Sequence, residues 1–118
     1  MPPLGICLKV GQRSLVLDKI LVRHLAGEWA FLTPCNPGSK VLSKEDNDKR
    51  IKAFSREITR FTHWEAFGVD PERKWPAEFS FLMAGLSRQE ASDLAIRFGQ
   101  NAFLYGKIFR AAELVWIG

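Results

Sequence analysis

The stretch Phe79-Ser80-Phe81-Leu82-Met83-Ala84-Gly85-Leu86-Ser87-Arg88-Gln89-Glu90-Ala91 decides the fold. Its first six residues are almost wholly apolar, as expected of a strand covered on both faces. Ser87-Arg88-Gln89-Glu90 then has the grammar of a capping box, a hydroxyl facing the first-turn amides and a carboxylate three residues on that reaches back. Ala91, Leu94, Ala95 and Phe98 follow at i, i+3, i+4 and i+7, and Gly99 stands where a left-handed C-terminal cap belongs. A buried strand thus runs directly into an amphipathic helix. Gln100-Asn101 leads out of it into a more mixed strand, Ala102 to Phe109.

The same grammar appears upstream. Trp29-Ala30-Phe31-Leu32-Thr33 is the second almost wholly apolar strand. Ser43-Lys44-Glu45-Asp46 offers an N-cap hydroxyl and acidic first-turn residues, and Ile51, Phe54, Ile58 and Phe61 form one apolar stripe. Thr62 to Val69 suits a flanking strand, and Glu113 to Ile117 is a short terminal one. Ile6–Val10 and Ser14–Leu17, on either side of Gly11-Gln12, are read as N-terminal strands. Residues 18–27 fit either a short helix or an irregular link. From Trp29 the order is strand, helix, strand, strand, helix, strand. That succession predicts an α+β, ferredoxin-like βαββαβ sandwich: an antiparallel sheet with two helices on one face and extra N-terminal strand(s). The topology places its first and third strands centrally, and those are the two most apolar strands here.

The chain has 118 residues, 47% of them apolar, which predicts a single domain over 1–118 and excludes disordered and collagen-like classes. No apolar run approaches the ~20 residues of a transmembrane helix, so no membrane partner is expected. Met1 to Cys7 lacks the basic head and apolar run of a secretory signal, which predicts a cytoplasmic protein. Cys7 and Cys35 have no CxxC spacing, and with His24 and His63 they would form a zinc site only by converging from distant positions. Free thiols are expected, with no metal and no cofactor.

Topology gathers chemistry at one end of the sheet. The loops after Thr33 and Gly68, the segment Trp75–Ser80, the turn Gln100–Asn101 and the N-terminus of the first helix should meet there. The candidate ligand-binding residues are therefore Thr33, Asn36, Ser39, Trp75, Glu78, Ser80, Gln100 and Asn101. Trp75 offers a flat wall for a ring-shaped ligand. Several of these residues also have purely local explanations. Asn36-Pro37-Gly38 is a turn signal, and Thr33 and Ser39 are types that bond neighbouring backbone. Gln100 and Glu78 are required by no turn.

Three blocks carry a family resemblance: Trp29-Ala30-Phe31-Leu32-Thr33-Pro34-Cys35-Asn36-Pro37-Gly38-Ser39, Trp75-Pro76-Ala77-Glu78-Phe79-Ser80-Phe81-Leu82, and Phe98-Gly99-Gln100-Asn101-Ala102. Together they resemble the domain of unknown function 3293 family, whose blocks read W-x-F-[IL]-T…NP-x-S, W-x-E-x-S-F-L and F-x-Q-N-A. The second block departs from that pattern by one extra residue, across which Glu78 is the equivalent acid. The resemblance supports the location of the site and implies no activity.

Four functions follow as alternatives. The first is a small-ligand or nucleotide-binding module using the polar cleft. The second is an enzyme in which Glu78 acts as acid or base, with Cys35 as a conceivable nucleophile; both histidines should lie away from that end. The third is nucleic-acid binding through Lys49, Lys52, Arg56 and Arg60 on one face of the first long helix, a stripe that Glu45–Lys49 and Asp48–Lys52 pairs would half neutralise. The fourth is a protein-interaction or regulatory module using Leu114-Val115-Trp116-Ile117. Monomer and homodimer remain equally open.

Overall fold

The computed structural model describes residues 8–68 and 78–117. In chain order these form α1 (Leu15–Arg23), β1 (Glu28–Leu32), a 3-10 turn (Pro37–Ser39), α2 (Lys44–Glu57), β2 (Thr62–Gly68), β3 (Glu78–Ala84), α3 (Arg88–Arg97), β4 (Ala102–Lys107) and β5 (Glu113–Trp116). The architecture is α+β, with three helices and a five-stranded antiparallel sheet of order β2-β3-β1-β4-β5.

Strand alternation builds two cores from one sheet. Ala30, Leu32, Phe81, Met83, Phe103 and Tyr105 face α2 and α3, where they pack with Phe54, Ile58, Leu94 and Phe98. Trp29, Leu82 and Ala84 face the other way, toward Leu17 and Leu21 of α1. Both central strands are therefore apolar along most of their length, Trp29–Leu32 and Phe81–Ala84, because both of their faces are covered. Trp29 lies in register with Gly106, and a Cβ there would stand 2.6 Å from the indole Nε1. Glycine is thus what admits the indole.

The helix signals operate as local chemistry requires. Ser43 accepts from the Asp46 amide at 3.1 Å, and α2 then buries Phe54 and Ile58, four residues apart, on one face. Ser87 and Glu90 close a reciprocal capping box on α3. Beyond α3, Gly99 takes φ 69°, the left-handed geometry that ends the helix.

The expected N-terminal strand Ser14–Leu17 is not formed. Ser14 is instead the N-cap of α1, accepting from the Leu17 amide at 3.2 Å. A four-residue alternation cannot be told from one helical turn, and Leu17 and Leu21 at i and i+4 settle it by packing on the sheet. Of the expected Ile6–Val10 strand, Val10 makes an isolated parallel bridge to Ala112, while Ile6 and Cys7 lie outside the described residues. The additional strand lies at the chain's other end, where β5 pairs with β4.

Candidate functional site

The loop that leaves β1 has one short 3-10 turn and no ladder to satisfy its backbone, so side chains must satisfy much of it. Thr33 Oγ1 donates to the Phe79 carbonyl at 2.9 Å and accepts from the Cys35 amide at 3.0 Å. Asn36 is buried in the left-handed region at φ 50°, a conformation asparagine tolerates better than most side chains. Its Oδ1 accepts from the Leu42 amide at 2.8 Å and from Asn47 Nδ2 at 2.9 Å. Asn47 Oδ1 in turn accepts from the Asn36 backbone amide at 3.0 Å, giving a reciprocal pair. The remaining side-chain donor, Asn36 Nδ2, reaches Glu78 Oε2 at 2.8 Å.

A second clasp ties this loop to the end of α3. Arg50 Nε donates to the Pro34 carbonyl at 2.6 Å, and the same guanidinium also bonds the Phe98 carbonyl while lying over the Phe98 ring. Gln100 Nε2 donates to the Cys35 carbonyl at 2.8 Å, and the Gly38 amide bonds the Gly99 carbonyl at 2.7 Å. At Gly99 an added Cβ would lie 3.0 Å from Pro37 Cβ, so the two turns touch there.

Thr33, Asn36, Glu78 and Gln100, separated by up to 67 residues in sequence, therefore stand in one bonded constellation. Asn101 lies beside it, its carbonyl accepting from the Ile117 amide at 2.8 Å. Ser80 is fully buried and donates to the Glu78 carbonyl at 3.0 Å, which makes it a support beneath Glu78 rather than part of a cleft wall. Ser39 belongs to the 3-10 turn, but its side chain is outside the description, and so is all of Trp75. Asn47 and Arg50 were not among the expected residues. Both sit in α2 on positions that read as ordinary polar surface of an amphipathic helix, and no motif in the sequence marks them.

Burial sets the electrostatics. It raises the Glu78 pKa above the ordinary carboxylate value, with the Asn36 hydrogen bond opposing the shift. Burial also raises the Cys35 thiol, and the nearby Glu78 charge adds to the effect, with the Thr33 hydroxyl working against both. Cys35 is thus a buried, protonated thiol at neutral pH, the opposite of an activated nucleophile. His63 pairs with Met83 near the far end of β3, away from Glu78. Among the described residues no cluster of three or more His, Cys, Asp or Glu could hold a metal ion. None of their helices is long and apolar enough to cross a membrane.

The basic face of α2 departs from expectation in its pairing. Asp48 bonds Lys44 at 3.0 Å, the i,i+4 partner one turn before it, rather than Lys52 one turn after it. Arg60 pairs with Glu90 at 3.2 Å and lies 4.3 Å over the Phe61 ring. Lys49, Lys52 and Arg56 have no carboxylate partner among the described residues.

No curated protein and no solved structure matches the chain. Residues 32–103, which hold β1's end, α2, β2, β3, α3 and the start of β4, match the family described as protein of unknown function (DUF3293). That match spans well over half of the sequence and contains the whole Asn36–Glu78–Gln100 constellation, so the chain belongs to the DUF3293 family.

Proposed function

We propose that the chain is a ligand-binding domain that takes a small polar molecule with N–H donors, such as a nucleobase or an amine, at the Asn36–Glu78 end of the sheet. The supporting observation is Glu78 itself. Its carboxylate is half-buried, oriented by Asn36 at 2.8 Å, and surrounded by polar groups already bonded to one another. An acceptor held in a fixed, partly desolvated frame needs little reorganisation to receive a donor. The raised thiol of Cys35 weighs against nucleophilic catalysis there. Strand order in the β2-β3-β1-β4 part of the sheet supports reading the core as a ferredoxin-like βαββαβ sandwich, with α1 and β5 as additions.

A thermal-shift screen of nucleosides, nucleotides and small amines tests the assignment. A ligand at about 100 times its Kd stabilises the folded chain by about 2.7 kcal/mol. For a chain of this size that is a rise of roughly 10 °C. The rise should vanish in Glu78→Gln, which keeps the bond from Asn36 but loses the carboxylate. No rise across the panel, or an equal rise in the variant, overturns the assignment.

The α2 cations that lack a carboxylate partner among the described residues favour one second reading, nucleic-acid binding through Lys49, Lys52 and Arg56. Three phosphate contacts would give a log–log salt slope of about −2 to −3. Fluorescence anisotropy with a labelled oligonucleotide should show that slope and lose it in the K49Q/K52Q/R56Q variant. Binding insensitive to salt refutes this reading.

A further inference from the structure

The opposite end of the sheet carries a different kind of site. The first turn of α3, the start of β1 and the hairpin between β4 and β5 enclose a basin of about 740 Å³, lined by Glu28, Arg88, Gln89, Tyr105, Lys107, Arg110 and Glu113 among others. That volume lies in the range of small-molecule pockets. Glu28 stands opposite Lys107 in register, and Tyr105 opposite Glu113, so these four rise from one face of the sheet.

Both carboxylates are already engaged. The buried Tyr105 hydroxyl donates to Glu28, and Arg88 donates to Glu113 at 2.5 Å with its guanidinium 6.0 Å from the Tyr105 ring centre. Burial, and then the Glu28 carboxylate, holds the Tyr105 pKa well above its usual value, so that hydroxyl remains a donor. At the N-terminus of α3 the capping box engages two amides, that of Glu90 by the Ser87 hydroxyl and that of Ser87 by the Glu90 carboxylate. Two cations are left over. Lys107 and Arg110 have no carboxylate partner among the described residues, and both stand on the basin wall.

We propose that this basin is a second binding site, for a small molecule carrying one phosphate group, which Lys107 and Arg110 hold. A phosphate presents three terminal oxygens, enough for the guanidinium fork of Arg110 and the point charge of Lys107 together. The Gln89 side-chain carbonyl, whose Nε2 donates to Asp93 at 2.9 Å, and the Arg88–Glu113 pair offer hydrogen bonds to a polar body attached to that phosphate. Two carboxylates in the same wall disfavour a polyanion, which separates this site from a nucleic-acid surface.

The test is an amide NMR titration of the full chain with glycerol 1-phosphate, with inorganic phosphate, glycerol and sodium chloride as separate arms. Saturable shifts at Gly106, Lys107, Arg110 and Ala111 are expected with the phosphate ester and not with glycerol or chloride. A saturable response to inorganic phosphate at the same amides identifies the phosphate group alone as the ligand chemistry, and a response to the ester only adds the polar body to it. The K107Q/R110Q variant should bind at least tenfold more weakly with an otherwise unchanged spectrum. Glu78→Gln should bind normally, which keeps this result separate from the assignment at the other end. Linear, unsaturated shifts, an equal response in the double variant, or shifts confined to α2 would each overturn the proposal.

Discussion

Replacing Asn36 by alanine should destabilise the chain by about 3–4 kcal/mol. The side chain accepts two hydrogen bonds and donates one, each worth roughly 1 kcal/mol net when both partners are neutral and more when one is a carboxylate. An alanine in the left-handed region, at the φ of 50° that Asn36 adopts, costs about 1 kcal/mol further. Water reaches the vacated partners in part, which keeps the total below a simple sum. With a urea m-value near 2 kcal/mol/M, the midpoint should fall by about 1.5–2 M while m stays constant. Asn36→Gly keeps the loss of bonds but relieves the backbone, so it should cost about 2–3 kcal/mol. Asn47→Ala removes the reciprocal partner, and the double variant should cost about 1–2 kcal/mol less than the two singles added together. An alanine cost under ~1 kcal/mol, or near-complete recovery by glycine, would show that the amide network carries little of the loop's stability and would refute the reasoning.

Further outcomes follow from single contacts. Glu78 has a raised folded-state pKa, so the folded chain holds that proton more tightly than the unfolded chain, and stability should decline as pH rises from the ordinary carboxyl range through the folded value. Glu78→Gln should lack that component, matching the parent at low pH and exceeding it at neutral pH in urea midpoints, unless Glu78 is no more buried than a surface carboxylate. Gly106→Ala places a Cβ 2.6 Å from the Trp29 indole and should cost about 1–3 kcal/mol with a red-shifted tryptophan emission. Arg50→Lys loses the fork that joins the Pro34 and Phe98 carbonyls, and hydrogen exchange at Gly38 and Gln100 should quicken although charge is conserved.

How much of this was legible in the sequence depends on the range over which each signal acts. Caps act within one turn, so Ser43, Ser87 and Glu90 could be read directly, and Gly99 with them. Apolar runs report how many faces are covered, which is why Trp29–Leu32 and Phe79–Ala84 could be placed at the centre of the sheet. The N-terminal region failed because Ser14–Leu17 is too short to display a period, and its helical identity comes from packing on a sheet formed later in the chain. At the site, Asn36, Glu78 and Gln100 could be found through topology. Asn47 and Arg50 could not, because what singles them out is the loop in front of α2 rather than anything in the helix.

That loop also separates the polar residues that build it from the one that does not. Thr33, Asn36, Asn47, Arg50 and Gln100 each bond at least one backbone amide or carbonyl between residues 33 and 42 or in the turn after α3. Without them those groups would be left unpaired at a half-buried surface, at a cost of about 1–3 kcal/mol apiece. The Glu78 carboxylate differs, since among the described residues it receives a bond only from a side chain, that of Asn36. No part of the loop's backbone depends on it. The two substitutions should therefore separate: Asn36→Ala lowers stability whether or not a ligand is present, whereas Glu78→Gln leaves the fold intact, raises stability at neutral pH by removing a half-buried charge, and abolishes the ligand response that the proposed function expects of the carboxylate.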